Sequence, residues 1–382
     1  MGEVSMVFAG DVAVCREDAP SIFRHVKEFT AGADIGHCNL EGQICAGLEK
    51  NPAKTGQGLA LRSYPNATEA LLSAGFNNVS LANNHTMDFG AGGLRESIAA
   101  LKAAGISYCG AGENTTEANL PVFVEKNGLT MAFISLTSVF PPAYAASATT
   151  PGAAVCRINT HYVPNPRTFT NPGCPMYVRT SGDPVDVEAL MANIRSCKEK
   201  ADLVFVAWHW GVSERLGIIT EYQRTLGQAA IDAGADAVIG NHAHMMLGVE
   251  FYKDKPIFHA LGNFGFDKKH PYFLDESAVV QCVATKDGLK DIRLVPTMNN
   301  AANEPMPIRT DSREGMKYQW MMEKLSDGLN TVFTPEGAHF RLTPASSSGQ
   351  VVFDSKDAGS LEKLGYSAEQ IEELRAAGAL TS

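Results

Sequence analysis

The sequence predicts an α/β domain with helices outside either one mixed sheet or two packed sheets. Through the first half, strand-like apolar runs alternate with stretches of helical spacing, the pattern of parallel β-α units. The second half adds hairpins marked by two-residue turns. Ligand-type side chains follow the apolar runs, and in layered α/β folds ligands bind beyond the carboxyl ends of the strands.

Taken in order, Val4–Phe8 is a short strand that exits at Ala9-Gly10-Asp11. Helical spacing follows around Ala19–Phe29, and a second strand exits at Asn39-Leu40-Glu41-Gly42. Cys45–Arg62 lacks periodicity and reads as a loop. Asn66–Ala74 and Gly92–Ala104 are helical, each closed by a glycine that favours a C-cap. Between them, Asn78–Ala82 is a strand ending in Asn83-Asn84-His85-Thr86-Met87-Asp88, and Ile106–Cys109 is another. Pro121–Glu125 and Thr130–Leu136 flank Asn127-Gly128 as a hairpin. Residues Phe140–Asp183 are rich in Pro, Thr, Ala and Asn, and predict a structureless lid or insertion. A helix over Val185–Lys198, a strand over Ala201–Trp208 and a helix over Glu221–Ala233 come next. Ala237–Ile239 then leads into Gly240-Asn241-His242-Ala243-His244. Two hairpins follow, turning at Lys253-Asp254 and Asp287-Gly288. Strand signals stop at Met298, so residues 299–382 are expected to be a helical and loop extension packed on a 1–298 domain, with helices near Ser312–Leu325 and Ser367–Ala376.

The chain has 382 residues, 45% hydrophobic and 19% charged, an ordinary globular composition. A net charge of −10 speaks against nucleic-acid or anionic-membrane binding, but leaves an acidic substrate open because a metal ion inverts a local field. The 8 cysteines are scattered, with no CxxC pair, and read as buried thiols. No signal-like or membrane-spanning run is visible, which predicts a cytoplasmic protein without a membrane segment. An oligomer remains open.

The strand exits carry Asp11, Asn39, Glu41, Asn84, His85, Asp88, His209, His242, His244 and Asn263. Any one of these is explained by polar residues starting a loop. Four of 10 histidines placed beside carboxylates at successive strand ends are not. Carboxylate, amide and imidazole without thiolate suit one or two Mn, Fe or Zn ions in an open site. Such ions lower the pKa of a bound water and clamp a developing oxyanion.

The segments GDV (Gly10–Val12), NLEG (Asn39–Gly42), LANNHTMDFG (Leu81–Gly90), HWG (His209–Gly211), GNHAH (Gly240–His244) and LGNFGF (Leu261–Phe266) together resemble the CapA, or poly-γ-glutamate capsule-biosynthesis (PGA_cap), family. That family is similar to the calcineurin-like metallophosphoesterases, which implies a four-layer, metallo-dependent-phosphatase-like fold of two mixed sheets flanked by helices. It further implies metal ligands at Asp11, Glu41, Asn84, His209, His242 and His244. Glu41 would bridge, and His85 would be the acid that protonates the leaving group, oriented by Asp88. Asn39, Arg62, Trp210 and Asn263 are candidates to contact substrate, Arg62 as a partner for carboxylate or phosphate or as a solvated loop arginine. Cys15 and Arg16 receive no role.

One departure stands out. Metallophosphoesterases carry Asp-x-His in the first motif, whereas this chain has Asp11-Val12-Ala13, and its bridging group is a Glu. The expected function is a hydrolase using a metal-bound hydroxide on an acidic small molecule or polymer, cleaving a γ-glutamyl-type amide, lactone or phosphoester. The alternatives are a non-catalytic accessory role in capsule polymer synthesis or export, and a binding module.

Overall fold

The computed structural model describes residues 2–54, 59–213, 215–271 and 273–345. Side-chain alternation builds its layers. On the strand Val4–Ala13, Val4, Met6 and Phe8 face the opposing sheet while Val7 and Ala9 face helices. On Leu203–His209, Leu203 and Phe205 face inward, and Val204, Val206 and Trp208 face outward. The result is two stacked sheets, of ten and six strands. In the first, Val4–Ala13 lies between parallel Ile35–Leu40 and antiparallel Glu276–Thr285. In the second, Leu203–His209 lies between parallel Leu129–Thr137 and Ala237–Asn241. Phe205 links the two, its ring 5.4 Å from Phe8 and 5.1 Å from Phe133.

Helices Ala67–Ser73 and Gly90–Ala103 cover the first sheet, and Pro184–Lys198 and Glu221–Asp232 the second. Pro184–Lys198 starts where local chemistry dictates. Asp183 accepts from the N–H groups of Val185 and Asp186, and Pro184 occupies a first-turn place that needs no donor. The two-sheet, four-layer expectation is therefore met.

One irregularity decides where Asp11 points. Phe8 pairs with His37 but Asp11 pairs with Asn39, so three steps on the first strand match two on the second. This bulge moves Asp11 from the face of Val7 and Ala9 to the inner one. Gly10 sits at the bulge because a Cβ there would lie 1.9 Å from the Gly262 carbonyl oxygen.

Two expectations are corrected. The strands do not stop at Met298, since Pro305–Pro307, Thr331–Pro335 and Phe340–Pro344 extend the first sheet. They escape pattern reading because they are short and carry few inward apolar residues, chiefly Phe333, Phe340 and Leu342. Nor is 140–183 structureless: Ile158–Val163 pairs with Tyr177–Gly182 as a hairpin whose long connection gives no turn signal. The compact unit that holds both sheets ends at Thr343, and the helix expected at Ser367–Ala376 lies outside the described residues. No described helix is long and apolar enough to cross a membrane.

Candidate metal centre

Strand ends from both sheets converge on one buried cluster. Asn39 comes from Ile35–Leu40 with Glu41 just beyond it, and His209 is the last residue of Leu203–His209. His242 and His244 follow Ala237–Asn241 with φ of 92° and 54°, left-handed conformations that non-glycine residues rarely adopt. That turn aims the His242 N–H at Asp11 Oδ2, 3.1 Å away, and delivers both imidazoles to the cluster.

Three potential ligand atoms gather around His209 Nε2. Asn84 Oδ1 lies 2.6 Å from it, His242 Nδ1 3.1 Å and Glu41 Oε1 3.8 Å. Glu41 Oε1 also lies 3.7 Å from His85 Nε2 and 3.7 Å from His244 Nε2. Both Glu41 oxygens are buried without a hydrogen-bond donor among the described residues. Burial, with Asp11 and Asp88 nearby, pushes the Glu41 carboxyl well above the usual range. Burial pushes Asp11 up to about 7. The same burial lowers His242 to about 4 and takes His209 and His244 well below the ordinary imidazole value. The imidazoles are therefore neutral, and they surround a carboxyl group that has no donor among the described residues. Such a set is destabilising alone and is satisfied by a divalent cation. The residues fit the metal that the donor types imply, with Asp11, Glu41 and His209 placing ligand atoms within 4.8 Å of one another.

The Asp11 side is more self-contained. Asn39 Nδ2 donates to Asp11 Oδ1 at 2.8 Å, and Asn263 Oδ1 lies 2.8 Å from His244 Nδ1. Ala13 packs with Leu61 and Phe266 in a small apolar cluster.

His85 and Asp88 form a second corner. His85 Nδ1 lies 2.5 Å from Asp88 Oδ2. Burial lowers His85 despite the pull of Asp88. Burial pushes Asp88 up, but the hydrogen bond and charge of His85, with the charge of Lys54, outweigh it and leave this carboxyl below its ordinary value. Lys54 Nζ stands 2.8 Å from Asp88 Oδ1, and the buried Tyr144 hydroxyl donates to the same oxygen at 3.1 Å. Neither residue was assigned from sequence. Lys54 sits in an aperiodic loop, and Tyr144 lies in the 140–183 segment with the other aromatics Phe140, Tyr162, Phe169 and Tyr177. Of these Tyr144 is buried, while Tyr162, Phe169 and Tyr177 are exposed.

The four residues expected to contact substrate have the following partners. Arg62 lies over the Phe89 ring, 4.2 Å from its centroid, and donates to the Leu48 carbonyl. Trp210 is wholly buried against Trp208 and the Glu221–Asp232 helix, its N–H on the His259 carbonyl at 2.9 Å, so it has no surface for a substrate. Asn39 bridges Asp11 and His209, and Asn263 orients His244. Both asparagines contact candidate ligands, an arrangement that imidazole ligands commonly have.

Fold and site together define a two-sheet α/β protein with a buried cluster of metal-type ligands at its strand ends. Residues 5–268 match the family described as bacterial capsule synthesis protein PGA_cap, and the chain belongs to that family. It is 29% identical over 338 residues to a capsule biosynthesis protein CapA of Bacillus anthracis, covering 85% of this chain and 74% of that protein. It is 28% identical over 342 residues to the PGA biosynthesis protein CapA of Bacillus subtilis, covering 87% and 80%. Among solved structures it is similar to a calcineurin-like phosphoesterase from Bacillus subtilis, with a TM-score of 0.35 and 12% identity over 98% of this chain and 99% of that one.

Proposed function

We propose that this protein is a metal-dependent hydrolase of an acidic small molecule or polymer, cleaving a γ-glutamyl-type amide, a lactone or a phosphoester. The observation that carries it is the donor-less Glu41 carboxylate facing three neutral imidazoles. Glu41, Asn84, His209 and His242 would hold a Mn, Fe or Zn ion. Asp11 and His244 would complete a weaker second position, because Ala13 supplies no ligand. Bound there, a divalent cation supplies an activated water and positive charge for the developing oxyanion. With Nδ1–H held by Asp88, the free Nε2 of His85 would take up the proton released when the water is activated and pass it to the leaving group. Burial of the ligands keeps bulk water out, which strengthens each of these electrostatic contacts.

The family's acidic polymer favours an anionic substrate, and the naming of both relatives as biosynthesis proteins favours a second reading, a non-catalytic accessory of polymer synthesis or export. One experiment separates the two. The protein is purified with Mn, Fe or Zn, its metal is quantified by mass spectrometry, and p-nitrophenyl esters, γ-glutamyl amides and lactones are assayed. The hydrolase reading expects one tightly held ion per chain and a turnover that drops at least ~10²-fold in His85→Ala with the metal retained. Stoichiometric metal with no turnover of any substrate would establish the accessory role. Absence of tightly bound metal would overturn the metal centre.

A further inference from the structure

Lys54 has no part in the chemistry above, yet its side chain is only 10% exposed beside the acid. Its surroundings say what it does. Asp88 receives four donors: Lys54 Nζ at 2.8 Å and Tyr144 OH at 3.1 Å on Oδ1, and Leu61 N at 2.8 Å and His85 Nδ1 at 2.5 Å on Oδ2. Two of these groups, Lys54 and Leu61, come from the loop before Arg62, and Tyr144 comes from the 140–183 excursion. An ionised carboxylate only accepts, so His85 must present Nδ1–H to it, which leaves Nε2 toward Glu41 Oε1 at 3.7 Å. The Lys54 ammonium also lies 3.1 Å from the same Nδ1 and 3.4 Å from the Asn84 carbonyl oxygen. An imidazole that left Asp88 would meet a donor there, not a second acceptor.

We propose that Lys54, seconded by Tyr144, is the positioning residue for the His85 acid. It pins Asp88 between two loops and so holds His85 in one orientation and one tautomer, with Nε2 aimed at the metal centre. The proposal rests on the assignment of His85 as the acid, and it concerns a neutral imidazole, so it needs no titration.

The test uses the full chain in two arms. The first is ¹⁵N NMR of the histidine side chains in metal-free protein, with His85→Gln to assign the signal. Wild type is expected to show His85 as a single Nδ1–H tautomer, and Lys54→Met a mixture of tautomers. The second arm is turnover of metal-loaded protein. Lys54→Met should lower kcat by ~10–100-fold, the usual cost of removing such a support, with KM changed less than about twofold and metal content unchanged. Lys54→Arg should restore the single tautomer and most of the turnover. Tyr144→Phe, which removes no charge, should give a smaller mixture and a smaller loss, and it carries the test if Lys54→Met does not fold. A wild-type tautomer and wild-type kcat in Lys54→Met, or in Tyr144→Phe where that variant stands in, would overturn the proposal. If wild type turns over no substrate, the hydrolase assignment fails, while the tautomer arm still decides the role of Lys54.

Discussion

Glu41 and Asp88 are both carboxylates buried at the same cluster, yet one has no donor among the described residues and the other has four. Neighbouring charges follow that division. Glu41 has Asp11 close by and rises well above its ordinary value, whereas Asp88 has Lys54 and His85 and ends below it. A buried carboxylate with every lone pair engaged is a finished piece of structure. One with none engaged is driven toward its uncharged form and is a candidate place for a cation. The contrast divides the two carboxylates by their partners, which residue type alone does not.

The largest effect should come from removing the bare carboxylate. Glu41→Gln is expected to weaken metal affinity more than ~100-fold, since even residues that merely support ligands cost that much. It should not destabilise the metal-free protein, because burial already drives Glu41 toward its uncharged form and glutamine leaves no charge behind. Thermal melts with and without metal check both, and a Glu41→Gln protein that melts lower than wild type without metal would remove the contrast.

The satisfied carboxylate should behave in the opposite way. Asp88→Asn is expected to keep its metal, lose ~10²-fold in turnover, and lose about 3 kcal/mol of stability because Lys54 stays buried without its anion. Chemical denaturation together with metal analysis reads this.

A third buried titratable group, His37, tests whether acid sensitivity belongs to the cluster or to the core. Its ring stacks on Phe133 and bonds Asn78, and burial lowers it to about 4 from 6.5. The unfolded chain therefore takes up this proton below pH 6.5, while the folded chain waits until about 4. Stability present at neutral pH should be lost as pH falls through that window, by up to about 3 kcal/mol. His37→Phe should flatten that slope in denaturation curves between pH 7 and 4. An unchanged slope would place the acid sensitivity elsewhere.

The smallest effect is expected at Arg62. With its guanidinium on Phe89, Arg62→Ala should cost under about 1 kcal/mol and leave KM unchanged. A large rise in KM would return Arg62 to the substrate.

What was legible from sequence follows from what pattern can encode. Alternating strand and helix periods gave the layers, and strand exits offered Asp11, Glu41, Asn84, His209, His242 and His244 as candidate ligands, because a polar residue that follows a strand is visible as one residue type after an apolar run. The orienting roles of Asn39 and Asn263 were not legible, since an asparagine at a strand end looks the same whether it touches substrate or a neighbouring ligand. Trp210 was misplaced because adjacent residues on a strand point to opposite faces: beside inward His209 it must face the helices. Lys54 and Tyr144 were invisible as partners of Asp88 because their meeting depends on two loops with no period of their own.

The bulge before Asp11 has a consequence for anyone redesigning this protein. Strand-idealising methods reward uninterrupted alternation, and at the present chain length a regularised Val4–Ala13 would score well while turning the aspartate toward the helices. Only a redesign that shortens the stretch between Phe8 and Asp11 by one residue keeps both a regular ladder and the aspartate's direction. Here the count of residues, not their chemistry, is what must be inherited.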